Sequence, residues 1–351
     1  MKRVVIVGGG FAGAYIARHL ERKFDTILID TKDYFEFTPS VLRSIINPKH
    51  MKKIQVFHKD YLHKAQVIVD RATKITNKEV MIGELKIPFD YLVIATGSRY
   101  QDIFKEADIV LPNRAKELAE KHEKLASAQE VLIIGGGIVG VELAGEIVGK
   151  YPNKNVTIVH SKDRLLERNT PRVSKYAQRF LEKRKVKIIF NERVEKKEDE
   201  VFVTNKGTKI KTDLQFICTG IISNGEAIRE GIPEIVNDHG QVLVNGYLQA
   251  EGYENIFVAG DVTAIQEEKT AHSAEHHARV IMNNIKSMER HHHHHLIPYI
   301  PKSRLMVISL GKYNAIFIFK NFSLHGKIPA LMKWAVELKT MIHYRTGLSK
   351  L

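Results

Sequence analysis

Twice in this chain an apolar run ends in three glycines, with a fourth glycine three positions further on: residues 4–7 lead into Gly8-Gly9-Gly10-Phe11-Ala12-Gly13, and residues 131–134 into Gly135-Gly136-Gly137-Ile138-Val139-Gly140. A β-branched run broken by glycine and followed by a helical pattern reads as strand, tight turn and helix. At this spacing the glycines close the turn, let the backbone approach a pyrophosphate and bring the helix onto the sheet, while the helix start offers free N–H groups and the positive end of its dipole. The glycine pattern alone is a weak signal. Its context is stronger, because a strand precedes it, a helix follows, and Asp30 closes the next apolar run, 25–30. An acid there is placed to accept hydrogen bonds from both hydroxyls of an adenosine ribose. Each copy is therefore expected to bind a dinucleotide.

The second copy differs at the strand end. The run 155–159 closes in His160-Ser161-Lys162 rather than in an acid. A carboxylate there bonds the ribose hydroxyls of NAD and repels the extra phosphate of NADP, whereas His160, Ser161, Lys162 and Arg164 remove that repulsion and offer donors. The expectation is that NADPH is accepted, with preference over NADH left open.

The duplication extends beyond the turns. After the first comes an alternating stretch, 66–89, which reads as a small antiparallel meander closing in a buried strand and Ala95-Thr96-Gly97. After the second comes another meander, broken by Asn205-Lys206-Gly207 and closing in Cys218-Thr219-Gly220. A helical pattern over 111–127, through Leu111 and Ala115, lies between the copies. The chain then returns to the first unit through a strand ending in Gly260-Asp261 and a helix over 270–287. The fold class expected is α/β: two Rossmann-like three-layer domains, each with a β-meander, plus a small C-terminal β/α segment. The boundaries are 1–105 and 241–288 for one domain, 106–240 for the other, and 289–351 for the C-terminal segment.

At 351 residues, with 44% apolar and 27% charged residues, the chain reads as an ordinary soluble protein of two to three domains. No apolar run reaches the roughly 18 residues of a spanning helix, and Met1-Lys2-Arg3 leads straight into a strand. A cytosolic protein is expected, with residence at the inner face of the cell membrane left open. The single cysteine, Cys218, excludes an intrachain disulfide. The net charge of +14 attracts polyanions. A generally basic surface and an acidic membrane face both account for it; no nucleic-acid module is visible, and no specific nucleic-acid partner is expected.

The C-terminal segment shows two β-rich runs, 305–310 and 315–319, and a helix over 329–345. On that helix Ile328, Leu331, Ala335, Leu338 and Ile342 form one apolar face, with Lys333, Glu337, Thr340 and Tyr344 opposite and Trp334 near the edge. Either this face packs on the protein's own sheet, or it rests on lipid with help from Lys327, Lys333, Lys339 and Lys350. His272 and His276, one turn apart, lack a third ligand, so no metal site is expected. The run His291 to His295 is assigned no function, and a homodimer is left open.

Together the two glycine turns, Ala95-Thr96-Gly97, Cys218-Thr219-Gly220 and Gly260-Asp261 resemble the two-dinucleotide-binding-domain flavoproteins of the pyridine nucleotide-disulfide reductase superfamily, over residues 1–288. Lys32-Asp33-Tyr34-Phe35, Val159-His160-Ser161 and the helix through 271–277 are most similar to the ferroptosis suppressor and type II NADH dehydrogenase families. The resemblance implies FAD on Gly8, Gly10, Phe11, Ala12, Gly13, Asp30, Lys32, Arg43, Ala95, Thr96, Gly97, Gly260 and Asp261. It places Thr38 and Pro39 near the flavin, and Thr270 and Ala271 at a helix start facing the pyrimidine ring. It implies a nicotinamide nucleotide, NADH or NADPH, on Gly135, Gly137, Ile138, Val139, Gly140, His160, Ser161, Lys162, Arg164, Thr219 and Gly220, with Glu142 where nicotinamide meets flavin. The Ala-Gln-x-Ala-x-Gln run that type II dehydrogenases often carry at the quinone side reads Ala271-His272-Ser273-Ala274-Glu275-His276 here, so His272 or His276 would hydrogen-bond a quinone carbonyl. The implied activity is an FAD-dependent NAD(P)H dehydrogenase with a quinone-type acceptor. The alternatives are a ferredoxin- or rubredoxin-type reductase, and a flavoprotein with a binding role of the apoptosis-inducing-factor kind.

Overall fold

The computed structural model describes residues 1–101, 113–290 and 295–346. Leu111, His291 to His294 and Lys350, and the side chain of Ala115, lie outside the described residues. The first parallel sheet has the strand order Ile256–Val258, Tyr91–Ile94, Arg3–Val7, Asp25–Asp30, Gln66–Val69. Covered on both faces, its strands are near-continuous apolar runs, and Val4, Val5 and Ile6 are fully buried. The strand Ile256–Val258 is the expected return of the chain. The second sheet runs Lys187–Phe190, Asn155–His160, Glu130–Ile134, Leu214–Ile217, again all parallel.

Each sheet carries an antiparallel meander: Lys74–Ile75, Glu79–Ile82 and Leu85–Pro88 in the first, Val194–Glu198, Val201–Thr204 and Lys209–Lys211 in the second. The first is shorter than the alternation suggests. Gln66–Val69 joins the parallel sheet instead, pairing Gln66 with Ile27 and Val69 with Asp30. The segments leaving the two Thr-Gly strand ends meet each other, where Ser98–Arg99 pairs antiparallel with Ile222–Ser223. That bridge ties the two sheets together at the ends where their glycine turns lie. The helix Phe11–Leu20 packs on the helix Ala271–Glu289 with small residues on both, Ala14 and Ala17 against a neighbour carrying Ala274 and Ala278.

The C-terminal sheet has three antiparallel strands rather than two: Leu305–Ser309, Ala315–Phe319 and Phe322–Gly326. The loop after its first strand meets the second nucleotide-binding helix, Ile138–Lys150, so closely that a Cβ on Gly145 would lie 2.9 Å from the Gly311 nitrogen. The terminal helix spans Lys327–Thr346. It lies the opposite way round from a helix packing its apolar stripe inward. Glu337, Met341 and Tyr344 face the protein and are buried, while Ile328, Leu331, Trp334, Val336 and Leu338 are 64%, 62%, 53%, 53% and 42% exposed. Among the described residues no helix is long and apolar enough to cross a membrane.

Candidate active site

The two glycine turns have the same geometry. Gly8 and Gly135 adopt φ of 105° and 114°, and a Cβ on either would meet the carbonyl oxygen of Ala95 or Cys218 at 2.2 and 2.4 Å. Gly13 and Gly140 leave no room for a side chain either, since a Cβ there would lie 1.8 and 1.9 Å from the Gly8 and Gly135 carbonyl oxygens. Gly10 and Gly137 are different. A Cβ on either meets no atom within 4 Å, because both face open space. These two residues cap the helices Phe11–Leu20 and Ile138–Lys150 without any side-chain cap, so the first amides of both helices remain for an outside acceptor. Glycines that face a void, with unsatisfied amides beside them, fit a pyrophosphate at each turn.

Both turns open into one cleft of about 1520 Å³. Gly8, Gly10, Phe11, Ala12, Asp30, Lys32, Thr38 and Pro39 line its first half, with Ala95, Thr96, Gly97, Gly260, Asp261, Thr270 and Ala271. Gly135, Gly137, Ile138, Val139, His160, Ser161, Lys162, Thr219 and Gly220 line the other, and Glu142 and His272 lie in the wall. Gly13 and Gly140 lie behind the lining as packing glycines. Arg43, Arg164 and His276 are not in the wall: Arg43 holds Glu146 at 2.9 Å, Arg164 donates to the Glu167 carbonyl at 2.9 Å, and the His276 ring lies 4.9 Å from the Tyr299 ring. Glu275 and Lys333 also line the cleft, as do Tyr100, Glu167 and Lys269, which carry no sequence pattern that marks them.

Three of the strand ends that reach the cleft are each backed by an imidazole–carboxylate pair. Beneath Gly9, His58 Nε2 lies 3.1 Å from the Asp30 carboxylate and its Nδ1 2.6 Å from the Tyr61 hydroxyl. Burial pushes the Asp30 carboxyl up, but Lys32, His58 and the Gly9 amide together hold it below the usual aspartate range. Beneath Gly136 the order is reversed: the strand-end residue is the imidazole. Gly136 N–H donates to His160 Nδ1 at 3.1 Å, and His160 Nε2 lies 3.3 Å from Glu167. At the third strand end Gly260 N–H donates to His277 Nδ1 at 2.9 Å, with His277 Nε2 2.8 Å from Glu267. In His160 the Nδ1 that accepts from the Gly136 amide leaves the ring proton on Nε2. Desolvation accordingly depresses the His160 pKa, with Glu167 opposing it.

At the floor of the cleft three elements meet through buried charges. Glu142 accepts from Lys333 Nζ at 2.7 Å and from the Ser309 amide at 2.7 Å, with only 9% and 13% of the two charged side chains exposed. Glu337 accepts from the Ser40 hydroxyl and lies 3.6 Å from His50 Nε2. Burial raises the Glu337 carboxyl; the contacts with His50, Ser40 and Arg43 outweigh it and leave the group below the usual glutamate value. The polar side of the terminal helix is thus the side the protein holds. Glu275, on the opposite wall, is pushed up by burial against the pull of Arg279 and Lys339. Among the described residues no group of histidine, cysteine and acidic side chains could hold a metal ion.

A fold with two such turns on one cleft defines a protein built to hold two dinucleotides. The chain belongs to the pyridine nucleotide-disulphide oxidoreductase family, whose model matches residues 2–278. It is 32% identical to apoptosis-inducing factor homolog A of Dictyostelium discoideum over 82% of this chain and 77% of that one. It is 31% identical to mouse ferroptosis suppressor protein 1 over 89% of this chain and 87% of the relative. The sulfide:quinone oxidoreductase of Aquifex aeolicus has the same fold, with a TM-score of 0.83, 22% identity and coverage of 99% of this chain and 92% of the other. The disulphide chemistry in the family's name is not available here, because Cys218 is the only cysteine and is buried.

Proposed function

We propose that the protein is an FAD-dependent NAD(P)H dehydrogenase that passes electrons to a quinone-type acceptor. The observation that carries this reading is the single cleft running from one uncapped glycine turn to the other and out beneath the terminal helix. The segments 1–105 and 241–288 then hold FAD through Gly8, Gly10, Gly13 and Asp30, and 106–240 receives the nicotinamide nucleotide through Gly135, Gly137 and Gly140. When bound, the flavin supplies hydride acceptance from the nucleotide and two-electron delivery to the acceptor. The chain's own residues orient, hold charge and exclude water. The start of the helix Ala271–Glu289, capped by Thr270 accepting from the Ser273 amide, turns its positive end toward the cleft and favours negative charge there. Lys333 and the Ser309 amide hold Glu142 at the junction of the two halves. No nucleophile is required, in keeping with the lone buried cysteine.

The acceptor side is read from the terminal helix. Met332 and Val336 belong both to its exposed apolar face and to the cleft wall, so the exposed face continues into the cleft. An apolar face flanked by Lys327 and Lys339 suits the headgroup layer of an anionic membrane and an apolar acceptor arriving from it. His272, exposed at the cleft wall, is the donor in reach of that acceptor. The test is anaerobic: the purified protein shows a flavin spectrum, NADH or NADPH bleaches it, and a short-chain quinone restores it. A flavin that neither nucleotide bleaches contradicts the reading.

A further inference from the structure

We propose that Glu167 discriminates between the two nicotinamide nucleotides, supplying from a following loop the carboxylate that the strand end lacks, and so makes the second turn a site for NADH. The inference rests on the reading of that turn as the nucleotide site, and it reverses the leaning toward NADPH expected from residues 160–164 alone.

The comparison between the turns carries it. Against Gly9 the nearest group is the Asp30 carboxylate, 2.4 Å from where a Cβ would sit; against Gly136 the corresponding place is filled by the His160 ring, whose Cγ is 2.8 Å from such a Cβ. The ring is already committed. Its Nδ1 accepts from Gly136, and its Nε2 is buried behind Glu167, 3.3 Å from that carboxylate, so no donor of the ring is open to a ribose phosphate. What lies beyond the ring is the Glu167 side chain, 31% exposed and lining the cleft.

The loop that carries Glu167 is built to hold it there. Leu166 is buried with φ of 52°, a conformation that costs a β- or γ-branched residue of order 1 kcal/mol or more and persists only where the surroundings over-determine it. Here they do. The Leu166 amide donates to the Gly136 carbonyl at 2.9 Å, Arg164 donates to the Glu167 carbonyl at 2.9 Å, and the Ser174 hydroxyl donates to the Leu165 carbonyl at 2.5 Å. The loop is therefore bonded directly to the glycine turn whose ligand it would select. The cations in the same wall, Lys162, Arg168, Arg193, Lys196 and Lys197, are exposed side chains, and water and salt screen charges of that kind. A fixed, half-buried carboxylate prevails over them in repelling a 2′-phosphate and in accepting from 2′- and 3′-hydroxyls.

The test is calorimetric binding of ADP-ribose and of 2′-phospho-ADP-ribose to the flavin-loaded protein, for the wild type, Glu167→Gln, Glu167→Asp and Lys162→Gln, with the flavin spectrum reporting the fold of each. The wild type is expected to bind ADP-ribose about tenfold more tightly or better. Glu167→Gln closes most of that gap by gaining the phosphorylated ligand, and Glu167→Asp retains part of it. An unchanged ratio in Glu167→Gln overturns the proposal, as does a wild type that prefers the phosphorylated ligand and loses that preference in Lys162→Gln. In either case NADH or NADPH still bleaches the flavin and the proposed function stands. Binding of neither ligand to any of the proteins overturns the nucleotide site itself, and this inference with it.

Discussion

At the scale of single residues, the glycines divide into those that make the turn and those that face its ligand. Gly13→Ala would drive a Cβ into the Gly8 carbonyl, and the protein is expected to lose several kcal/mol or fail to fold; a soluble yield and melting temperature equal to the wild type would contradict this. Lys333→Met leaves the Glu142 carboxylate buried with one amide donor, and breaking a buried pair in this way costs about 3 kcal/mol. Urea unfolding followed by flavin release measures it, and the double variant Glu142→Gln, Lys333→Met is expected to recover part of the loss. Asp30 and the eight turn glycines were legible in the sequence because strand, turn and helix are adjacent in the chain and one backbone geometry demands them. His58, Glu167 and Glu267 were not legible. Their pairing with Asp30, His160 and His277 is made by tertiary contact across loops, and no local spacing marks it.

At the scale of elements, the terminal helix was readable as a helix but not as to which side it buries. Its apolar periodicity is real; the inner face is nonetheless the polar one, because Ser40, His50 and Glu142 offer partners that satisfy it. The third C-terminal strand was missed for a related reason, since Ser323, His325 and Gly326 are weak strand formers held by pairing with Ala315–Phe319. If the outward face rests on lipid, the protein floats with phosphatidylserine vesicles at low salt, and Leu331→Glu with Trp334→Glu abolishes this while leaving flavin content unchanged. Equal flotation of the variant would assign binding to general charge. The inner face also makes the helix sensitive to acid. The folded Glu337 pKa lies below its unfolded value near 4.5, so its contribution is present above that pH and is lost as the pH falls through the depressed value. Hydrogen exchange in residues 327–346 is therefore expected to quicken below about pH 4.5, ahead of the sheet strands. Equal quickening in both would show that the carboxylate does not anchor the helix.

At the scale of the whole molecule, the duplication legible in the sequence is also what organises the cleft. Two parallel sheets end at the same place, are stitched there by Ser98–Arg99 and Ile222–Ser223, and present their uncapped helix starts to one space. A basic chain of net charge +14 suits ligands that are all anionic or lie at anionic surfaces. The central claim is the division of labour between the turns: the first seats a resident flavin and the second admits a visiting nucleotide. It is tested most directly by anaerobic NADH titration of Gly10→Ala and Gly137→Ala, each of which adds a methyl group to open ligand space and to nothing else within 4 Å. The account predicts that Gly10→Ala is folded but purifies depleted of FAD, and that Gly137→Ala purifies with its full flavin spectrum and is bleached at least tenfold more slowly, a loss of about 1.4 kcal/mol. Full flavin in Gly10→Ala, or normal bleaching of Gly137→Ala, would contradict it.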